Sequence, residues 1–145
     1  INDEILISKK INYSKHLIKS EQTLPFDDNS KDILITFYQL EHLNPFETYL
    51  KEYLRVLRPG GLLVGAIPCE GGLGWGFGRY LTTRRWLLTN TNINPDKLIC
   101  WEHPNFSDYI LNTLNRFSEN KYLSFWPVGF QSIDLNLIVK FIFKN

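Results

Sequence analysis

Residues 32–37, Asp32-Ile33-Leu34-Ile35-Thr36-Phe37, form a nearly continuous apolar run, which predicts a strand covered on both faces in a parallel sheet. A helical period follows it. Phe46, Leu50, Tyr53, Leu54 and Leu57 recur on one stripe, with Glu47 and Lys51 outside it as an i,i+4 pair. Asn44 is placed to cap this helix, Pro45 to open its first turn and Glu47 to complete a capping box. Pro59-Gly60-Gly61 ends it, since proline cannot continue a helix and glycine accepts positive φ, and residues 62–67 return as a strand. Further on, Asn105 is the expected cap of a helix whose apolar face is Phe106, Ile110, Leu114 and Phe117. Residues 122–126 and 133–143 read as strands. Ile133, Leu135, Leu137, Val139, Phe141 and Phe143 alternate strictly, and the short connection at 127–132 predicts an antiparallel hairpin.

The flanking segments are less regular. Ile1, Ile5 and Leu6 among Lys9, Lys10 and Lys15 suggest a short amphipathic helix, and residues 16–20 a brief strand. Asp27-Asp28-Asn29-Ser30 is a turn, because short polar side chains satisfy the backbone locally. Residues 69–103 carry glycines, Arg79, Arg84, Arg85, Trp75, Trp86 and Trp101 without a clean sheet period. So long an excursion in a compact domain reads as a lid or cap. Within it, Gly72, Gly74, Gly76 and Gly78 follow a strand and superficially fit a nucleotide-binding loop. Bulky Trp75 and Phe77 alternate with them, and the preceding strand already has its place in the order, so a lid or substrate loop is the preferred reading.

Composition bounds the rest. A chain of 145 residues, 43% hydrophobic and 14% aromatic, is expected to form one domain with a real core. Its 16 basic and 15 acidic residues leave a net charge of +1, no global field for a polyanion, so nucleic acid is not implied. There is no membrane-length apolar run and no basic-then-apolar leader, which gives the expectation of a soluble, cytoplasmic protein without a membrane partner. Cys69 and Cys100 lack metal-ligand spacing and read as reduced thiols, with no metal site. The chain begins at Ile1, contains no methionine, and opens like the interior of a domain; a fragment is expected.

Three phrases stand in fixed order: Leu24-Pro25-Phe26-Asp27-Asp28-Asn29-Ser30, then Leu40-Glu41-His42-Leu43, then Arg55-Val56-Leu57-Arg58-Pro59-Gly60-Gly61. Together they resemble the middle of class I S-adenosylmethionine-dependent methyltransferases of the type 11 kind, with the order of elements similar over residues 16–145. The resemblance implies an α/β, Rossmann-like sheet, mostly parallel with a C-terminal antiparallel hairpin. It also implies that this is the carboxyl-terminal two-thirds of one domain, residues 1–145, lacking the first two strands and the Gly-rich cofactor loop, with 69–103 as a cap insertion.

Ligands of open α/β sheets bind beyond the carboxyl ends of the strands. On the resemblance, Ser20, Glu21 and Gln22 fall where the family contacts adenine, Ser20 replacing the family's aspartate, and Phe37, Tyr38 and Gln39 border the sulfonium. His42 faces the substrate mouth and is the candidate catalytic base, since imidazole titrates near neutrality; a structural role in its turn is the alternative. On the acceptor side stand Glu70, Trp75, Arg79, Arg84, Arg85 and His103, the arginines suited to a phosphate or carboxylate and the tryptophan to an apolar or sugar ring. Each has a plain alternative as helix surface or lid packing. The expected activity is methyl transfer to a small-molecule acceptor, a glycan or phosphorylated metabolite. The rival is a non-catalytic methyltransferase-like interaction module, or a fragment forming a homo-oligomer through the sheet edge left bare by the missing strands.

Overall fold

The computed structural model describes residues 12, 14, 16, 23–117 and 121–145. The expected N-terminal helix and the strand at 16–20 lie largely outside these residues, as do Ser20, Glu21 and Gln22. Among the described residues four strands, β1 (Lys31–Phe37), β2 (Leu57–Pro68), β3 (Lys121–Trp126) and β4 (Ile138–Lys144), form one sheet in the order β1-β2-β4-β3. β1 pairs parallel with β2, and β4 runs antiparallel to both β2 and β3, so three strands share one direction and only β4 is reversed. At its crossing with β4, Gly65 stands opposite Phe141, and a Cβ there would lie 2.2 Å from the Thr36 carbonyl and 2.6 Å from the Phe141 ring.

Helices α1 (Phe46–Val56) and α5 (Ser107–Phe117) contribute Phe46, Leu50, Tyr53, Ile110 and Leu114 to a core with Leu63, Ile67, Val139 and Phe141 from the sheet. Each such side chain contributes about 1.5–3 kcal/mol by leaving water. The cover is one-sided. Ile33, Ile35 and Phe37 of β1 are 53%, 65% and 58% exposed, and Tyr122, Trp126 and Ile142 are exposed as well. Among the described residues the expectation that β1 is covered on both faces is not met: Leu34 and Thr36 turn toward the core, and Ile33, Ile35 and Phe37 lie on the exposed face.

Arg55 ties the first and third phrases together. From α1 it donates to the carbonyls of Phe26 at 2.9 Å and Leu24 at 3.3 Å and pairs with Asp28, while its own carbonyl accepts from Asn29 N–H at 2.9 Å. Glu52, one turn earlier, accepts from Leu24 N–H at 2.6 Å and from Arg55, whose hydrogen bond holds its carboxyl below the usual carboxylate range. Arg58 pairs with Asp32 at 2.8 Å. Turn and helix end are thus one polar unit that sets the start of β1.

Several local expectations are revised. Pro45, not Asn44, is the N-cap of α1 and caps with no side chain, so the capping box does not form; Glu47 instead reaches Arg116 at 3.3 Å. Asn105 does not cap α5 but is buried and donates to the carbonyls of Leu40 and Leu43, a long-range tie that outweighs local capping. The last strand begins at Ile138, not at residue 133. Buried Asn136 accepts from Val128 N–H at 2.9 Å and donates to the carbonyls of Phe130 at 3.0 Å and Ser132 at 2.8 Å, holding the preceding residues in a turn.

Residues 69–103 are largely helical, over 73–90 and 95–102. α2 (Leu73–Arg79), a π turn (Tyr80–Arg84) and α3 (Arg85–Asn90) join through helical backbone at Tyr80 and Arg84, and α4 (Pro95–Glu102) is capped by Asn94, which accepts from Asp96 and Lys97 N–H. Gly72 and Gly74 serve close packing: a Cβ would come 2.3 Å from the Ile133 carbonyl and 3.0 Å from that of Asp134, respectively, and Gly74 N–H donates to Asp134 O at 2.7 Å. Among the described residues no helix is long and apolar enough to cross a membrane.

Candidate functional site

β1 and β2 are adjacent and parallel, so the segments leaving their carboxyl ends emerge side by side. After β1, Tyr38 N–H extends the ladder by one bond to Ala66 O at 2.9 Å, and Tyr38 then adopts φ 51°. Left-handed backbone at an aromatic residue is costly and marks a position held by its surroundings. It throws the chain into a 3-10 turn, Leu40–His42, in which Leu40 and Glu41 are buried and His42 is 45% exposed.

His42 is fixed by the end of α4. Its Nδ1 lies 2.6 Å from the backbone carbonyl of Glu102. A carbonyl only accepts, so Nδ1 carries the proton and the lone pair of the neutral ring resides on Nε2. The His103 ring meets the His42 ring edge to face, with centroids 4.5 Å apart at 87°. His103 Nδ1 in turn donates to Glu70 Oε2. Glu70, 4% exposed at the end of β2, also pairs through Oε1 with Arg79 NH1 at 2.8 Å, and Arg79 stacks over Trp75 with 5.7 Å to the ring centroid. Glu70's own carbonyl accepts from Ser107 N–H at 3.2 Å and Ser107 Oγ at 2.9 Å.

Beneath His42 lies Glu41, 2% exposed, with Oε1 4.0 Å from His42 Nε2 and Oε2 without a hydrogen-bond partner among the described residues. Burial raises its carboxyl above the ordinary range; a backbone hydrogen bond and the two histidines act in the opposite direction. Two acids, two imidazoles and a guanidinium therefore share one partly dry site, where charge interactions are stronger than in water.

The structure brings together four residues that the sequence singled out separately: His42, Glu70, Arg79 and His103. It does not bring the others to the same point. Arg84 is engaged by Asp96 in a two-point pair at 2.6 and 3.0 Å, and Arg85 lies on an exposed groove with Tyr80 and Leu88. Trp75 is half-buried with an unpartnered Nε1. Phe37, Tyr38 and Gln39 are exposed at the end of β1, with Gln39 Oε1 accepting from Thr36 Oγ1 at 3.2 Å. A cavity of about 410 Å³ opens beside Gln39 and His42, walled by Thr23, Leu24, Tyr49 and Tyr53. Glu41 and the Glu102 carbonyl escaped the sequence reading. A carboxylate between Leu40 and His42 was a signal for the first; nothing in a sequence marks a backbone acceptor. Among the described residues no three His, Cys, Asp or Glu side chains are placed to hold a metal ion. Cys69 is buried, which pushes its thiol up to about 11, and Cys100 is exposed; both are free.

Residues 4–65 match the model of a family described as a methyltransferase domain. Among solved structures, a protein from Pyrococcus horikoshii aligns at 18% identity over 98% of this chain and 64% of its own, with a TM-score of 0.59. A SAM-dependent methyltransferase from Aquifex aeolicus aligns at 12% identity over 97% and 60%, TM-score 0.57. A SAM-dependent methyltransferase from Thermotoga maritima, described as a possible histamine N-methyltransferase, aligns at 15% identity over 88% and 62%, TM-score 0.52. No match is found among curated proteins. The chain spans less than two thirds of the length of each of these three structures. Its sheet has the fold of these class I methyltransferase neighbours.

Proposed function

We propose that the protein containing this chain transfers a methyl group from S-adenosylmethionine to a small-molecule acceptor, with His42 as the base and residues 69–103 as the acceptor-side cap. The observation that carries this reading is the His42 hydrogen bond to the Glu102 carbonyl, which leaves Nε2 as the proton acceptor at the mouth of a cavity. The residues fit the cofactor's edge. The ends of β1 and β2 are the ligand-binding end of such a sheet, and the cavity is bounded by Thr23, which directly follows Ser20-Glu21-Gln22, and by Gln39. Phe37, Tyr38 and Gln39 would hold the cofactor there through ring faces and the Gln39 amide. S-adenosylmethionine supplies a methyl carbon already activated by positive sulfur.

The chain's own contribution is alignment and proton removal. His42 Nε2 accepts the proton of the acceptor's O–H or N–H, and the imidazolium so formed keeps its Nδ1–H on the Glu102 carbonyl. Buried Glu41, 4.0 Å away, favours that positive charge. The cap excludes water around the acceptor, a glycan or phosphorylated metabolite.

Titration calorimetry with S-adenosylhomocysteine on the protein at its full native length tests the cofactor assignment, with Tyr38→Ala and Gln39→Ala expected to weaken binding. Wild-type protein that shows no heat and no protection of residues 37–43 from hydrogen exchange would exclude it. One observation favours a second reading. The apolar open face at Ile33, Ile35 and Phe37 beside the edge strand β1 suits association with another copy, so a stable dimer by light scattering with no cofactor affinity would make the chain a non-catalytic methyltransferase-like module.

A further inference from the structure

Two cap-derived groups hold the His42 ring: the carbonyl of Glu102 receives its Nδ1 proton and the ring of His103 abuts it. Glu102 is the last residue of α4, and His103 N–H bonds the Ile99 carbonyl of the same helix at 2.9 Å. The carboxylate of Glu70 takes one bond from His103 and one ion pair from Arg79, thereby joining the end of β2 to the end of α4 and to α2. Both of its oxygens are occupied by the protein and the side chain is buried, so it is not presented to an acceptor.

We propose that Glu70 is a positioning residue that seats the cap so that residues 102 and 103 set the tautomer and orientation of His42. The base is then half-built by the cap: with the cap undocked, His42 loses the acceptor for its Nδ1 proton and its ring rotates freely. Arg79 shares this task through Glu70, and His103 acts on His42 rather than on the acceptor. The significance for catalysis rests on the reading of His42 as base; the structural claim about its tautomer does not.

Long-range imidazole proton–nitrogen NMR spectra of the full-length protein test it, with the His42 and His103 signals assigned from His42→Gln and His103→Asn. In the wild type the neutral His42 ring is expected as the Nδ1–H form. Glu70→Gln, which keeps an acceptor for His103 but loses the pair with Arg79, should lower the ratio of Nδ1–H to Nε2–H by about tenfold, as expected for the loss of a buried charge-assisted bond. Glu70→Asp should recover part of it. His103→Asn, which retains a donor toward Glu70 but removes the ring against His42, should lower the ratio less than Glu70→Gln does. An unchanged His42 tautomer in Glu70→Gln overturns the proposal. If Glu70→Gln does not fold, Arg79→Gln at the other end of the pair decides, a smaller shift supporting the proposal and none overturning it. Parallel titration with S-adenosylhomocysteine separates the two levels: a tautomer shift without cofactor binding keeps the positioning role and removes the methyltransferase reading.

Discussion

His42 gives its Nδ1 proton to the backbone carbonyl of Glu102 at 2.6 Å, across 60 positions of the chain. The bond joins a turn that follows β1 to the last residue of helix α4. It is reinforced from the other direction, since Asn105 donates to the Leu40 and Leu43 carbonyls and its own N–H reaches Glu41 O at 3.3 Å. The turn bearing the proposed base is therefore fastened on both sides to residues 102–105, and its geometry depends on that segment as much as on the sheet.

Replacing His42 by asparagine separates chemistry from architecture. The asparagine amide retains a donor for the Glu102 carbonyl but offers no basic nitrogen. Transfer of labelled methyl from S-adenosylmethionine to a small-molecule extract should fall by about 10²–10⁴-fold. S-adenosylhomocysteine affinity should stay within about twofold, because a base that acts only on the acceptor contributes little to cofactor binding. Equal loss in both measurements would instead assign His42 to the cofactor site.

Glu41 predicts a pH dependence with a definite sign. Burial raises its carboxyl in the folded protein above the ordinary value of 4.5, so the folded state binds that proton more tightly than the unfolded chain does. Its contribution to stability is present in full below that ordinary value and is lost as pH rises through the elevated one. Glu41→Gln cannot ionise, so its stability relative to wild type should improve between pH 4 and pH 7. Glu52, lowered by Arg55, imposes the opposite slope in both proteins, and the difference between them cancels it. Urea midpoints at the two pH values are the measurement, and an identical gap at both would contradict the assignment.

What the sequence disclosed follows the range of the forces involved. β1, α1 and α5 were legible because local periodicity decides them, and His42 stood out because it lies at a strand end. The linkage of His42 to Glu70, Arg79 and His103 was not legible as a cluster, since it is made by contacts between segments far apart in the chain. Local rules misled where a tertiary partner outbid them. Asn105 has an ideal capping side chain, yet buries it against the His42 turn. The alternation from Ile133 to Phe143 is real, but Asn136 interrupts it with three backbone bonds that a strand would not permit.

That interruption has a measurable consequence. In a strand over 133–143, Leu135 would face the core with Leu137; in the structure Leu135 is exposed and Asn136 fully buried. Asn136→Leu should cost about 2–3 kcal/mol by orphaning the Val128 N–H and two carbonyl acceptors. Leu135→Asn should fall within about 0.5 kcal/mol of wild type. Equilibrium urea unfolding of both variants distinguishes the cases, and the reverse ranking would restore the longer strand.

The glycines make the sharpest contrast. At Gly65 a Cβ meets the Thr36 carbonyl at 2.2 Å and the Phe141 ring at 2.6 Å, both held by the sheet, so Gly65→Ala forces strands apart and should cost about 3 kcal/mol. Gly76 lies in α2 with nothing within 4 Å of its would-be Cβ. There, alanine removes backbone freedom from the unfolded chain without meeting a neighbour, and Gly76→Ala should stabilise by about 0.5–1 kcal/mol. The comparison also bears on the glycine-rich segment. A phosphate-cradling loop needs its glycines for backbone approach to a ligand, whereas a helix gains from losing one that packs against nothing. Urea unfolding of the two variants, with S-adenosylhomocysteine affinity measured alongside, should show opposite changes in stability and unaltered binding for Gly76→Ala; destabilisation of that variant would mean the segment is not helical in solution.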